Sequence, residues 1–295
     1  MKECSRLLVH WQLLTSLIFG IVVYCFWFLL YPYMIVAQER LFVYDADFWH
    51  ERSVCEYFNE FFLQFFHNVS IGAFILVLIC LAVQYLSWIV ISIISKRRSF
   101  YYLSYIPAII ACYLLFACMS FNQEEMEYDW LLRKGNWNKI INKGEKEIPQ
   151  SLACQNVIRL AMFQTGQISE NDFLSAVTLT NDVLSNRTAA FIMSDVYIYS
   201  GMINMAQRAS MDAILSIEDF GMSGRAFQRL AETALVTGQY KVARKYMLLL
   251  EGTLFYRSWA IKSKPLVEHP ELIKKHPVYG KQQDIYKKTK DILFN

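Results

Sequence analysis

Hydrophobic positions run almost unbroken through the first ~120 residues, then give way to helical stripes separated by polar faces. Three apolar runs, at about 11–31, 69–91 and 101–121, each approach the ~20 residues that a helix needs to cross a hydrocarbon core. Pro32 ends the first. The run is too long for the apolar core of a signal peptide, and no small-x-small cleavage site follows, so it predicts a retained anchor. Between the first two runs, residues 55–67 interleave Tyr57, Phe58, Phe61, Phe62, Phe65 and Phe66 with Glu56, Glu60, Gln64 and His67. In a helix, Glu60, Gln64 and His67 fall at i, i+4 and i+7, hence on one face. The stretch therefore predicts an interfacial amphipathic helix within an outer loop at 32–68. A sharper alternative is a polar site at the membrane edge, with His67 and Glu60 handling a proton or ligand. Gln84 falls deep in the second run, where a polar side chain serves packing against a neighbouring helix.

Beyond Asn122 the pattern becomes periodic on a longer scale. Four glycines, Gly135, Gly166, Gly201 and Gly238, follow helix-like runs and precede others, at spacings of about 31, 35 and 37 residues. Tetratricopeptide repeats have a period of about 34. The unit around Gly238 shows the pattern best. Phe227, Leu230, Ala231 and Ala234 form one stripe, and Ala243, Met247 and Leu250 form the next. The Gly201 unit carries Met193, Ser194, Tyr197, Ile203, Ala206 and Ala213, while the two earlier units keep little beyond the glycine. The fold expectation is all-α: a bundle of about three transmembrane helices at 1–121, tetratricopeptide-like helical repeats stacked as an α-solenoid at 122–260, and a tail with a capping helix at 261–295. Such stacks present a concave face that commonly binds peptides. Aligned on the turn glycines, its candidate residues are Glu125, Asp129 and Arg133, then Phe191, Asp195 and Tyr199, then Arg225, Gln228 and Glu232. Their mixed signs argue against a dedicated site for acidic C-termini.

Composition sharpens the membrane reading. The 295 residues are 55% hydrophobic and only 19% charged, below the ~25% usual for soluble domains. A formal charge of +3, scattered along the chain, gives no footprint for nucleic acid. Lys2 and Arg6 precede the first run, and Lys96, Arg97 and Arg98 separate the second and third. The loop between the first two is acidic by contrast, with Asp45, Asp47 and Glu51. Positive residues favour the cytoplasmic side. The expected topology is thus a cytoplasmic N-terminus and, after three spans, a C-terminal repeat domain on the opposite side.

The segments YPYMIVAQERLF at 31–42, NEFFLQFFHNVSIGAFILVL at 59–78, DWLLRKGNWNKIINKGEK at 129–146, GMINMAQRASMDA at 201–213 and RLAETALVTGQYKVARKYMLLLEGTLFYRSWA at 229–260 carry a resemblance across most of the chain. It resembles an uncharacterised family of multi-pass membrane proteins of Bacteroides-type bacteria with a C-terminal tetratricopeptide-like domain. Family members generally carry more membrane helices between the two halves, so this chain looks like a shortened member. The resemblance implies a bacterial inner-membrane protein with its repeat domain in the periplasm. It implies no activity.

Chemical motifs are sparse. Of the cysteines, Cys55 and Cys154 are the two expected to face an oxidising compartment, and no CxxC occurs. His50-Glu51 lacks the second histidine of a zinc-protease helix, and no P-loop, GxGxxG or GxSxG occurs. No catalytic residue, metal or cofactor is therefore expected. The leading expectation is a membrane-anchored, non-enzymatic scaffold whose partners are the lipid bilayer and a protein or peptide. The alternative is an accessory subunit of a transport or envelope-assembly complex, with Glu60, Gln64, His67 and Gln84 marking the contact face.

Overall fold

The computed structural model describes residues 2–44, 53–95, 98–177, 186–217 and 222–288, and every regular element among them is helical. The loop positions Asp45, Asp47, His50 and Glu51 and the basic pair Lys96 and Arg97 lie outside the described residues. The chain divides into two compact units, Met1–Glu39 with Phe65–Gln123, and Arg40–Gln64 with Glu124–Asn295.

The first unit opens with α1 (Lys2–Cys25), which runs on through a π-helical turn at Phe26–Leu30, and α2 (Pro32–Ala37). The next helix in the chain, α3 (Val54–Leu63), belongs to the second unit. The first unit resumes with α4 (Val69–Ile94) and α5 (Tyr105–Met119). Asn68 sets the start of α4: its side chain accepts from the backbone N–H groups of Ser70 and Ile71, which the first helical turn would otherwise leave unpaired. Three stretches are long and apolar enough to cross a membrane: Trp11–Leu30, Val69–Ile94 and Phe100–Met119. They coincide with the three runs in the sequence. Their outward surfaces are also apolar, with Leu13, Leu17, Ile21, Phe74, Leu86, Ile93, Ile106 and Leu114 all exposed. A helix that is apolar all round belongs in a protein core or in lipid. At the inner face of α4, a Cβ on Gly72 would lie 2.4 Å from Cγ2 of Ile35, so glycine is what lets α2 lie against α4.

The second unit is a succession of helices, α6 (Gln123–Arg133), α7 (Trp137–Lys146), α8 (Leu152–Gln164), α9 (Glu170–Ala176), α10 (Arg187–Tyr199), α11 (Ile203–Leu215), α12 (Gly224–Val236), α13 (Tyr240–Glu251), α14 (Arg257–Glu268), α15 (Glu271–Lys275) and α16 (Tyr279–Lys288). From α10 to α14 each helix packs on the next. The four glycines singled out in the sequence sit at the turns α6–α7, α8–α9, α10–α11 and α12–α13, all with positive φ. The turn at Gly238 (φ 80°) is representative. Its N–H bonds the Leu235 carbonyl at 3.3 Å, and the Gln239 N–H bonds the Ala234 carbonyl at 2.8 Å. Those paired bonds satisfy the last carbonyls of α12 and require a left-handed residue.

The predicted stripes form the core. Leu230, Ala231, Ala234, Ala243, Met247 and Leu250 are buried, as are Met193, Tyr197, Ile203, Ala206 and Ala213. Ser194 joins them by bonding Ser210 Oγ at 2.8 Å and the Ala206 carbonyl at 3.2 Å. Pro265 lies inside α14, which packs on α13. The tail folds back, so that α16 packs on α12. The last part of the expected tail and capping helix, residues 289–295, lies outside the described residues.

Candidate functional site

The repeat period places Asp129 on α6, Asp195 on α10 and Arg225 on α12, and packing brings the three together. Arg225 donates Nη1 to Asp129 Oδ2 at 2.8 Å and Nη2 to Oδ1 at 2.7 Å, a two-pronged pair matched to the planar fork of guanidinium. The same Nη2 reaches Asp195 Oδ2 at 2.6 Å. Arg229, one turn further along α12, bonds the other Asp195 oxygen and, at 2.7 Å, Glu232. Gln228 and Tyr279 both donate to Glu232 Oε1 at 3.2 Å, the latter from α16. Phe191 lies under the Arg225 guanidinium, 4.6 Å from it.

This cluster is buried. The side chains of Asp129 and Asp195 are each 10% exposed and that of Arg225 is 14% exposed. Burial opposes ionisation of Asp195, but Arg229 and then Arg225 outweigh it and hold its carboxyl below the usual carboxylate range. Arg133 lowers it further. Burial likewise opposes the charge on Arg225, and Asp129 and Asp195 more than restore it. Three carboxylates (Asp129, Asp195, Glu232) thus face three guanidiniums (Arg133, Arg225, Arg229). The arrangement is neutral in sum, binds α6, α10 and α12 together, and holds α16 through Tyr279.

The structure therefore gathers most of the sequence-nominated residues into one place. Asp129, Phe191, Asp195, Arg225, Gln228 and Glu232 are one network whose carboxylates and guanidiniums pair with each other or with Arg229, and Arg133 acts on Asp195 through its charge. Glu125 stands apart: its carboxylate accepts from Ser151 at 2.6 Å and from Asn186, tying α6 to the starts of α8 and α10. Tyr199 ends α10 with its ring edge-on to Trp137 at 6.2 Å. Burial, then Asp195, raise its phenol pKa. Sequence reasoning missed Arg229 and Tyr279. Arg229 had a signal, since it follows Arg225 by four residues and so shares its helix face. Tyr279 had none, because only the fold-back of the tail delivers it.

The nominated membrane-edge residues are dispersed. The α-helix carrying Glu60 ends at Leu63, and Gln64–His67 forms a tighter 3-10 turn, so the three polar residues do not continue one α-helix. Gln64 folds back to donate to the Phe61 carbonyl at 2.9 Å. His67 Nδ1 lies 2.9 Å from Glu39. Gln84 is buried among the long helices, where its amide donates to Tyr101 at 3.0 Å and Ser104 at 3.1 Å and accepts from Ser16 at 3.3 Å. Tyr101 in turn donates to the Gln12 carbonyl, and Tyr105 to Thr15. The cluster ties α1, α4 and α5 together. Cys55 is exposed, Cys154 is buried, and both thiols are free.

Fold and site together define an all-helical protein with three membrane-length helices and a domain of packed helical hairpins closed by a buried ion network. The chain belongs to a family of unknown function, DUF6057, whose model matches residues 9–121 and 116–295. No curated protein and no solved structure matches the chain.

Proposed function

We propose that the protein is a membrane-anchored, non-enzymatic interaction protein. Its three spans would fix it in a bacterial inner membrane with the N-terminus cytoplasmic. Its tetratricopeptide-like domain would hold a protein or peptide segment in the periplasm. The observation that carries this reading is α16. The chain's own C-terminal helix lies on α12, bonded through Tyr279 to Glu232 and through Gln283 to the Val236 carbonyl at 3.4 Å. A helix of the domain thus already holds a helical segment, which is the kind of ligand helical repeats accept. Partner contact would fall on the residues left accessible at its border, Tyr199 foremost at 40% exposure, rather than on the self-paired charges.

The accessory-subunit reading draws on the polar cluster in the spans. Gln84, however, is 4% exposed and its amide is satisfied within the bundle, so it supports helix association more directly than contact with another subunit. Photo-crosslinking in cells separates the two. Probes at Tyr199 and on the outer apolar positions Leu86 and Ile106 are compared by mass spectrometry. The scaffold reading expects a discrete protein adduct at Tyr199; adducts confined to Leu86 or Ile106 would contradict it.

A further inference from the structure

Helix α3 belongs to the second unit and carries no buried residue. A capping box sets its start: Ser53 Oγ accepts from the Glu56 N–H at 3.2 Å, and Glu56 Oε2 accepts from the Ser53 N–H at 3.2 Å. At about 100° per residue, Tyr57, Phe61, Val54, Phe58, Phe62 and Cys55 follow one another around less than half of the helix. Asn59, Leu63, Glu56 and Glu60 occupy the remainder. One edge of the apolar arc is covered, because the Phe42 ring lies 5.0 Å from that of Tyr57 and 5.4 Å from that of Phe61. Phe42 follows Leu41, which is buried in the core of the same unit. The middle of the arc is open, with Val54 and Phe58 each 50% exposed and Phe62 49% exposed. These three stand at i, i+4 and i+8, so they form one continuous apolar strip. A strip of that kind, backed by a polar face, marks a surface of interaction.

We propose that the strip Val54, Phe58 and Phe62 lies on a lipid surface, so that the helical domain has a lipid contact of its own besides the three spans. Chain connection selects lipid as the occupant. Only Gln64–Asn68 separates α3 from α4, a helix long and apolar enough to cross a membrane. Five residues span at most about 18 Å even when fully extended. The strip therefore stays within reach of the surface of any bilayer that α4 crosses. Its chemistry agrees. An interfacial helix buries an apolar face with phenylalanines at the acyl boundary and keeps its charges in water, as Glu56 and Glu60 are kept opposite the strip. The arc has no Lys or Arg, so its attachment draws on apolar burial rather than on anionic headgroups. Cys55, at the edge of the arc beside Asn59, remains open to water. The inference rests on the membrane-anchored reading and deepens it, because α3 transmits lipid contact to the domain through Phe42.

The test uses the full chain in phosphatidylcholine nanodiscs, with a fluorescent amino acid placed one position at a time at Phe58, Phe62, Glu56, Asn59 and Leu86. All but Glu60's neighbour on the polar face are tolerant sites: Phe58, Phe62 and Leu86 are about half exposed or more. Two quenchers report the surroundings, phosphatidylcholine brominated on its acyl chains near the headgroup and iodide in the water. A helix seated about 5–10 Å into the boundary of headgroups and acyl chains predicts bromine quenching at Phe58 and Phe62 with loss of iodide quenching there. Glu56 and Asn59 should show the reverse, so that the two signals alternate with the helical period. Equal iodide quenching at all four positions would overturn the inference and leave α3 in water. Protection of Phe58 and Phe62 from both quenchers would overturn it as well, since a protein surface would then cover the strip. Leu86, 61% exposed on α4, is the reference for the spans. Bromine quenching at Leu86 without any at Phe58 and Phe62 would reject the inference alone. Its absence at Leu86 would reject the membrane-anchored reading, and the inference with it.

Discussion

Charge pairing inside the helical domain is decided by a few residues. Arg225 and Asp195, candidates for the concave face in the sequence, bond each other. Removing one member of a buried pair leaves the other uncompensated, at roughly 3–5 kcal/mol. Arg225→Ala should therefore lower the unfolding free energy of the domain by about that amount, read by chemical denaturation followed by circular dichroism. Wild-type stability at the same denaturant slope would contradict the network. The pH dependence follows from Asp195, whose pKa is lower folded than unfolded. Its contribution is complete above the unfolded value of about 3.9 and is lost as pH falls through that value toward the folded one. The acid limb of the stability curve should therefore begin near pH 4 and flatten in Asp195→Asn, with no matching change between pH 6 and 8. The sequence placed these side chains on one face but could not show that the face closes on itself. Alternating signs on α6, α10 and α12 read equally well as a solvated groove and as an ion lattice, and only the distance between helices decides.

At the scale of elements, the turn glycines were the most legible feature. Each of Gly135, Gly166, Gly201 and Gly238 has the positive φ that its place after a helix implied. Gly166 isolates the backbone effect, because a Cβ there would meet nothing within 4 Å. Gly166→Ala should cost about 1–2 kcal/mol from conformation alone, measured as a fall in denaturation midpoint, and Gly166→Asn distinctly less. Helix ends were less legible where tertiary contact overrides local preference. Pro265 sits within α14 because that helix has α13 to pack on, whereas the sequence alone reads proline as a stop. Gln84 is the polar residue whose bonds lie within the apolar bundle. Gln84→Leu would remove three inter-residue hydrogen bonds from the bundle, each worth about 0.6–1.7 kcal/mol in a membrane. The variant should unfold at lower mole fraction of denaturing detergent; an unchanged midpoint would mean that the cluster contributes nothing to helix association.

For the whole molecule, the division of the chain is not the simple one suggested by hydropathy. The segment Arg40–Gln64 belongs with the helical domain. Leu41 is 2% exposed in that domain's core, and its N–H bonds the Met222 carbonyl at 2.9 Å. Hydropathy could not reveal this, because Leu41 sits between two apolar runs and its partner lies some 180 residues away. Expressing residues 122–295 alone should therefore give a less stable domain, by about 2–3 kcal/mol for the lost leucine side chain and more for the lost bond.

Topology is the claim on which the account turns: the proposed function puts the helical domain across the membrane from the N-terminus. Cys55 offers a direct reporter, being exposed on α3 in the loop after the first span. Intact cells expressing a chain with Cys55 as its sole cysteine, its Cys55→Ser derivative, or Lys2→Cys on that derivative would be treated with a membrane-impermeant maleimide before and after permeabilisation. The account predicts immediate labelling of Cys55 in intact cells, none in Cys55→Ser, and labelling at position 2 only after permeabilisation. Labelling at position 2 in intact cells, with Cys55 protected until the membrane is opened, would contradict it.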